Sequence, residues 1–168
     1  SLNLPAALFD FDPVLAGTIP LDIDVPGSDL DIICEVPDAA AAEFRQRLRA
    51  LYGTQPGFTL HETVVRGTPS LVCNFRHPEF ELEIFGQPCP VRRQHAYRHL
   101  VVEARVLAAG GPTWQQAARE LKAQGLKTEP AFAQLLGLAG DPYEALLTLE
   151  GLTDTALRQL VADVVLAP

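Results

Sequence analysis

Two carboxylates that lead directly into an apolar run constrain the fold of this chain more than any other feature. Residues 30–36 are mostly apolar and β-branched, as is typical of a buried strand, and Asp29 and Asp31 stand at its beginning. Because side chains alternate between the faces of a strand, both aspartates point to the same side, about 7 Å apart along the chain. Two neighbouring negative charges repel, so each is expected to bind a proton, a basic partner or a shared cation.

The chemistry of this pair favours magnesium. Hard oxygen ligands suit Mg²⁺, which proteins bind through one or two carboxylates together with the phosphates of a substrate. Gly17 and Thr18, one short loop earlier, could present backbone N–H groups and a hydroxyl to those phosphates. On their own the aspartates would be read as surface charges, with Ser28 and Asp29 as turn or cap residues. The combination predicts a phosphoryl or nucleotidyl transfer site with Mg²⁺ as the ion, Mn²⁺ as its substitute and an NTP as the substrate.

The order of these residues resembles a known signature. Gly-Thr at 17–18 followed by Ser-Asp-x-Asp at 28–31 is similar to the nucleotidyltransferase superfamily pattern, in which Gly-Ser or Gly-Thr precedes Asp-x-Asp or Asp-x-Glu. A second resemblance, to the uncharacterised bacterial family called domain of unknown function 4269, covers nearly the whole chain. It is carried by FDPVLAGTIP at 11–20, EIFGQ at 83–87 and GLKTEPAFA at 125–133. Together the resemblances imply a nucleotidyltransferase fold in a bacterial protein, and the second family implies no established reaction.

A third carboxylate is expected if two metal ions clamp an in-line displacement. Residues 79–84 alternate strictly, with glutamates on one face and apolar side chains on the other, which is typical of a half-buried strand. Glu83 is the predicted third ligand, because the resemblance places the superfamily's third acidic residue, commonly Asp, at this point in the sequence order. Glu81 is the competitor on the same face, and a solvated acidic strand face is the alternative.

Basic side chains that could neutralise phosphate charge occur in both halves of the chain. Arg66 and Arg76 lie on predicted strands of the first half. Arg98 shares a polar helix face with Gln94 and Tyr97, by the i, i+3, i+4 spacing. That face is the predicted source of acceptor selectivity.

A further cation stands at a predicted helix start. Lys127 and Thr128 occupy this position, and helix N-termini attract anions. An ordinary capping box with Thr128 as N-cap is the alternative. The predicted nucleotide-binding residues are therefore Gly17, Thr18, Ser28, Arg66, Arg98 and Lys127.

The periodicity changes near the middle of the chain and predicts an α+β fold. The first half is predicted to form strands at 14–16, 30–36, 58–66, 70–76 and 80–85, with a helix at 39–52 capped by Asp38 and a hairpin turn at 67–69. The second half is predicted to form helices at 95–108, 114–123 and 128–138, with two more beginning near 141 and 153. We expect a single compact unit over 1–168, in which a nucleotidyltransferase-like mixed sheet at 1–91 carries a helical subdomain at 92–168 packed on it.

Composition restricts the partners and the location. The formal net charge of −8 argues against long nucleic acid as the partner, since such binders carry basic patches. No apolar run approaches the roughly 20 residues that span a bilayer, and residues 1–5 lack the features of a signal peptide, so we expect no membrane association and a cytoplasmic protein. Cys34, Cys73 and Cys89 match neither a zinc pattern nor a disulfide framework, and the first two are expected in the core.

These features predict a Mg-dependent nucleotidyltransferase that transfers NMP from an NTP to a hydroxyl of a small molecule or protein. Asp29 and Asp31 would hold Mg²⁺, and Glu83 would complete the metal site or act as base on the acceptor hydroxyl. Gly17 and Thr18 would hold the β- and γ-phosphates. The alternative is a non-catalytic member of the fold that binds nucleotides or proteins as a regulatory or antitoxin-like partner. The pattern specifies neither the acceptor, nor the base, nor the oligomeric state.

Overall fold

A computed structural model describes residues 4–165 of the chain. Its contacts divide the chain into two units. The sheet unit comprises the chain up to Ala16 together with Gly27–Tyr97, and the helical unit comprises Gly17–Pro26 together with the chain from Arg98 onward. The division expected from the sequence, at 91–92, keeps residues 17–26 with the sheet, whereas the structure groups them with the helices.

The sheet unit is built on five strands of mixed direction. They lie in the order β1-β2-β5-β4-β3, with β2 and β5 parallel and every other pair antiparallel. The mixed sheet, with helices dominating the second half of the chain, confirms the predicted α+β class. The strands are β1 (Val14–Ala16), β2 (Leu30–Glu35), β3 (Thr59–Val65), β4 (Thr68–Arg76) and β5 (Glu81–Gln87).

One face of the sheet forms the main core. The short helix α1 (Leu4–Ala7) is followed by Phe11, which packs edge-on against Phe44 of helix α2 (Ala41–Tyr52) with ring centroids 4.7 Å apart. Apolar side chains recur every four residues along α2, so one helix stripe faces the sheet. The buried strand residues of this core are Ile32, Cys34, Leu71, Cys73, Phe75, Leu82 and Ile84. Burial raises the pKa of both cysteine thiols to about 12, so they stay protonated as small core residues.

Two local predictions for the sheet unit were wrong in detail. Asp38 does not cap α2; it opens a single 3₁₀ turn, Asp38–Ala40, which precedes the helix. The hairpin between β3 and β4 turns at Arg66 and Gly67 rather than at 67–69, because Val65 already pairs with Thr68. Both turn residues have positive φ, 51° and 79°, as a two-residue type I′ turn requires.

The helical unit contains a long helix that breaks at the predicted place. α3 (His95–Ala123) consists of two helical halves joined at Gly111, whose φ of 67° and ψ of −160° are not helical, so the chain bends there before Pro112. The second half therefore begins after Gly111, earlier than the predicted start at residue 114. Gly110 is required as well, since a Cβ at this position would overlap the side chain of Trp114.

Three short helices complete this unit. Asp141 caps α5, where its Oδ1 accepts hydrogen bonds from the backbone N–H of Tyr143 and Glu144, and Thr153 caps α6. Both predicted starts are confirmed. The N-cap of α4 is Lys127 rather than Thr128, and this helix ends three residues earlier than expected. The bounds are α4 (Thr128–Leu135), α5 (Pro142–Leu147) and α6 (Asp154–Ala162).

The segment 17–26 contributes to the core of the helical unit. Leu21 and Ile23 are buried in one cluster with residues of α3, including Val102 and Val106. The carboxylate of Asp22 lies 2.8 Å from Nη2 of Arg119, which ties the same segment to the second half of α3. Among the helices of residues 4–165, none is both long and apolar enough to cross a membrane.

Candidate functional site

Asp31 and Glu83 lie side by side on the two central parallel strands. The register of β2 and β5 pairs Asp31 with Glu83, and paired residues of neighbouring strands project from the same face of a sheet. The same row continues to Ala16 on β1 in one direction and to Asn74 on β4 in the other. This face is opposite to the one that packs on α2, so the core does not cover the two carboxylates. Both residues are half-buried.

A second acidic row follows at the exposed end of the same face. Asp29 is exposed and directly precedes β2, and continuing the Leu30–Leu82 register by one residue sets it opposite Glu81. Glu81 is paired in turn with Arg76, with 3.3 Å between Oε1 and Nε. Because Glu83 shares its face with Asp31, it stays the predicted third carboxylate, and Glu81 is its neighbour in the next row.

The other end of this face is apolar and closed. Ile33 pairs with Phe85 directly beyond the acidic rows, and the buried residues Ile33, Ala16 and Val91 form a small cluster of their own. Farther along, the buried amide of Gln87 donates a hydrogen bond to Oγ of Ser70 at 2.9 Å. The carboxylates therefore lie between this apolar cluster and solvent. The cluster lowers the local dielectric constant, and the carboxylates stay accessible to a ligand.

The donor set suits a cation that a substrate helps to hold. Within the described residues, no three or more His, Cys, Asp or Glu side chains are gathered as a ready-made metal site. Mg²⁺ is commonly bound through one or two carboxylates, with substrate phosphates and water completing the octahedron. The paired carboxylates of Asp31 and Glu83, with Asp29 in the next row, fit this mode of binding.

The predicted Gly-Thr turn belongs to the helical unit, and its backbone has the expected form. Gly17 has φ 69°, a conformation that favours glycine. Thr18 is buried and precedes the 3₁₀ turn Ile19–Leu21, and its carbonyl accepts hydrogen bonds from the N–H groups of Leu21 and Ile23. Ser28, in the sheet unit, is half-buried in the loop before β2.

Arg66 is not gathered with the carboxylates. It lies in the β3–β4 turn, seven residues beyond Thr59, which is the β3 member of the row that contains Asn74 and Glu83. At the rise of an extended strand this separation is about 23 Å. Arg76 was predicted together with Arg66 as a residue that could neutralise phosphate charge. It is the last residue of β4 and pairs with Glu81 in the second acidic row.

The predicted polar helix face is already engaged by protein groups. Gln94 is buried in the sheet unit, where its Nε2 donates to the carbonyl oxygens of Cys34 at 2.8 Å and Cys89 at 3.0 Å. The hydroxyl of Tyr97 accepts a hydrogen bond from Arg92 at 3.1 Å. These two contacts are structural within the sheet unit, so this part of the face offers less to an acceptor than its composition indicates.

Within the helical unit, Arg98 forms a bidentate ion pair with Glu150. Its Nε and Nη2 lie 2.8 Å and 2.6 Å from the two carboxylate oxygens, and these hydrogen bonds raise the pKa of Arg98 above its usual value. Lys127 is exposed and occupies the N-cap position of α4, with no side-chain capping bond. Either side chain could form an ion pair with phosphate, but Arg98 would first have to leave the carboxylate of Glu150.

Sequence reasoning did not single out a buried acid in the helical unit. Glu103 is only 3% exposed and its Oε1 has no hydrogen-bond partner. Burial, reinforced by the charge of Glu129 and opposed by that of Lys122, raises the pKa of Glu103 to about 8. The available signal was its position one residue after Val102 and three before Val106, on a helix stripe whose other buried members are apolar except His99.

Comparisons with solved structures identify the fold. The Cid1 poly(U) polymerase bound to Mg and 3′-dATP aligns with a TM-score of 0.54 and 14% identity, over 87% of this chain and 45% of that one. The MgGTP-bound form of Cid1 aligns with a TM-score of 0.53 and 14% identity, over 88% and 46%. A cytoplasmic RNA terminal U-transferase aligns with a TM-score of 0.50 and 14% identity, over 89% and 42%. This chain therefore has a nucleotidyltransferase-like fold and spans less than half the length of these structures.

Sequence comparison gives the family. No curated protein matches the chain significantly. Residues 1–149 match the profile of a family described as Domain of unknown function (DUF4269), which agrees with the resemblance carried by the segments at 11–20, 83–87 and 125–133. Because this match extends over most of the chain, the protein belongs to the DUF4269 family.

Proposed function

We propose that this protein is a Mg-dependent nucleotidyltransferase that moves a nucleoside monophosphate from an NTP to a hydroxyl group. The observation that carries the proposal is the pairing of Asp31 with Glu83 on one face of a nucleotidyltransferase-like sheet. Two carboxylates in register repel each other, a shared cation is one means of relieving that repulsion, and phosphoryl transfer is a chemistry that uses such a cation.

Each carboxylate has a role in this proposal. Asp29 and Asp31 would hold Mg²⁺ together with oxygens of the triphosphate, and the ion's contribution is to neutralise charge on the phosphates. Glu83 would complete the ligand set or accept the proton of the acceptor hydroxyl. In the second role, the acceptor oxygen forms a bond to the α-phosphorus, the bond from that phosphorus to the bridging oxygen breaks, and pyrophosphate leaves with the electron pair.

Four further predicted residues would bind the phosphates. Gly17, with its positive φ, and Thr18 would present N–H groups and a hydroxyl to the β- and γ-phosphates. Arg98 and Lys127 would supply positive charge from the helical unit. For Arg98, binding phosphate means giving up the carboxylate of Glu150.

The acceptor is proposed to be a small molecule or a protein. The aligned structures include an RNA terminal U-transferase, but this chain spans less than half of it. A net charge of −8 works against the phosphate backbone of a long RNA. A single hydroxyl on a compact acceptor needs no extended basic surface.

The decisive experiment measures nucleotide binding and transfer with the same variants. Wild type, Asp31→Asn and Glu83→Gln are titrated with each of the four NTPs with and without Mg²⁺ by calorimetry, and incubated with α-labelled NTPs to detect transfer to protein, to small hydroxyl compounds or to an RNA oligonucleotide. We expect Asp31→Asn to lose the Mg-dependent part of binding. We expect Glu83→Gln to lose transfer by about 10²-fold or more, on the order of the contribution of a general base.

A matched control separates a site effect from a charge effect. Asp38→Asn removes one exposed carboxylate at the start of a 3₁₀ turn, outside the acidic rows, and should bind Mg-nucleotide as wild type does. If Asp31→Asn also binds as wild type does, the proposed site is wrong. Nucleotide binding that depends on Mg²⁺ without transfer to any acceptor class would favour the non-catalytic alternative.

A further inference from the structure

Arg76 is the only lysine or arginine in the five strands of the described sheet. It is the last residue of β4 and follows Asn74 by two positions, so its side chain leaves the sheet on the same face as Glu83. The face that carries the acidic rows therefore has one guanidinium of its own, and these strands carry no lysine or second arginine beside it.

The present partner of this guanidinium is weakly held. Nε of Arg76 lies 3.3 Å from Oε1 of Glu81, and the two side chains are 67% and 65% exposed. An ion pair this exposed adds little to stability, because water screens the charges and both side chains lose freedom when they meet. The pair holds the guanidinium at the second acidic row and leaves it available to a stronger partner.

Gly57 borders the side chain of Arg76. The backbone N–H of Arg76 donates to the carbonyl of Pro56 at 2.8 Å, which brings Gly57 next to it. A Cβ at Gly57 would lie 3.4 Å from Nε of Arg76, and Gly57 has φ 70°, where a side chain is strained. A larger residue at position 57 would therefore contact the Arg76 side chain, which glycine leaves 67% exposed.

We infer that Arg76 is a phosphate-binding residue of the nucleotide site, and that Glu81 is the partner it leaves when a triphosphate binds. The assignment to a nucleotide rests on the proposed function. A guanidinium presents parallel N–H donors that match phosphate oxygens, and a triphosphate carries several negative charges where Glu81 carries one. In an acidic protein, a polyanion placed beside several carboxylates needs such a cation in addition to Mg²⁺.

The test uses inorganic triphosphate with Mg²⁺ as the probe, so that no base or acceptor contributes. Binding to the full chain is measured by calorimetry for wild type, Arg76→Ala and Glu81→Gln. We expect Arg76→Ala to weaken binding by about ten- to a hundredfold, the range of a lost charge-assisted contact. Glu81→Gln should strengthen binding, and the gain should be smaller in the Arg76→Ala background, because competition for the guanidinium is then absent.

Arg49→Ala is the matched control. Arg49 is an exposed arginine on α2, which packs on the opposite face of the sheet, so its loss changes the net charge equally without touching the acidic rows. It should bind triphosphate as wild type does. Equal melting temperatures of the variants show that the fold is retained.

The outcomes separate this inference from the proposed function. If Arg76→Ala and Arg49→Ala bind triphosphate equally well while Asp31→Asn loses its Mg-dependent binding, the role of Arg76 is refuted and the nucleotidyltransferase proposal stands. If binding falls with Arg76→Ala but Asp31→Asn leaves its Mg²⁺ dependence unchanged, Arg76 binds an anion and the metal site is refuted. If wild type binds no triphosphate at millimolar concentration, both are refuted.

Discussion

Asp31 and Glu83 occupy paired positions on parallel strands β2 and β5, and their side chains project from the face of the sheet that α2 does not cover. Four residues farther along the same two strands, Glu35 is paired with Gln87. The sheet thus contains a carboxylate–carboxylate pair and a carboxylate–amide pair on the same two strands. Their comparison isolates what the second negative charge does.

The first prediction is that Asp31→Asn stabilises the protein when Mg²⁺ is absent. Like charges directly opposite on neighbouring strands are destabilising, and the effect should be on the order of the 0.2–1 kcal/mol that favourable cross-strand pairs contribute. In EDTA the melting temperature should therefore rise for Asp31→Asn, and Mg²⁺ should raise it for wild type more than for the variant. Glu35→Gln is the control: it should raise neither the melting temperature in EDTA nor the increase that Mg²⁺ produces. A lower melting temperature for Asp31→Asn in EDTA would show that repulsion within the pair is not the dominant interaction of Asp31.

The second prediction concerns Gly86, which is paired with Cys34 on β2 and faces α2. A Cβ at this position would lie 2.7 Å from Cγ2 of Val36 and 3.0 Å from Cε1 of Phe44. Gly86→Ala should therefore lower the free energy of unfolding by about 1–3 kcal/mol, the usual cost of overpacking a core. Urea unfolding measures the change. Gly151→Ala, where a Cβ would meet nothing within 4 Å, is the control.

Local patterns predicted the elements well, because their causes are local. The apolar run after Asp29 identified β2, strict alternation identified β5, and the glycines Gly110 and Gly111, between the helices predicted at 95–108 and 114–123, identified the break in α3. The caps Asp141 and Thr153 were readable for the same reason, since each bonds to backbone N–H groups two or three residues ahead. None of these features depends on a distant part of the chain.

What escaped prediction depends on tertiary contacts. The register that pairs Asp31 with Glu83 joins positions far apart in the sequence, and only the assembled sheet fixes it. Gln94 was assigned to a polar face from helical spacing, but it is buried because its amide satisfies two carbonyl groups of the sheet unit. The hairpin turn was misplaced because arginine rarely adopts positive φ, so composition pointed past Arg66.

The third prediction follows from that turn. Arg66 has φ 51° in a type I′ turn, where asparagine is favoured and arginine is not. Arg66→Asn places the preferred residue type before Gly67 and should raise the free energy of unfolding by a few tenths of a kcal/mol, up to about 1 kcal/mol. Thermal and urea unfolding measure the gain. Nucleotide titration of the same variant reports on the phosphate-binding role predicted from the sequence, which would require a loss of affinity.

The last prediction concerns the buried acid of the helical unit. In the unfolded chain the carboxyl of Glu103 titrates near its ordinary pKa of 4.5, whereas burial raises the pKa in the folded protein to about 8. Between these values the folded state holds a proton that the unfolded chain has released. Stability therefore falls as the pH rises through this window, by up to about 1.4 kcal/mol per pH unit, and the loss is complete above the folded pKa. The charges of Glu129 and Lys122 act on the pKa of this carboxyl in opposite directions, Glu129 raising it and Lys122 lowering it.

Glu103→Gln removes the titration and keeps the size and polarity of the side chain. We expect its free energy of unfolding in urea to vary less between about pH 5.5 and pH 9 than that of wild type, and the variant to be the more stable protein at the upper end of this range. Glu120→Gln, which changes an exposed glutamate on the same helix, should follow the wild-type curve. Parallel pH curves for Glu103→Gln and wild type would mean that Glu103 is already ionised in the folded protein. In that case the unpartnered Oε1 must be reached by water, and the charge of Lys122 must outweigh the cost of burial.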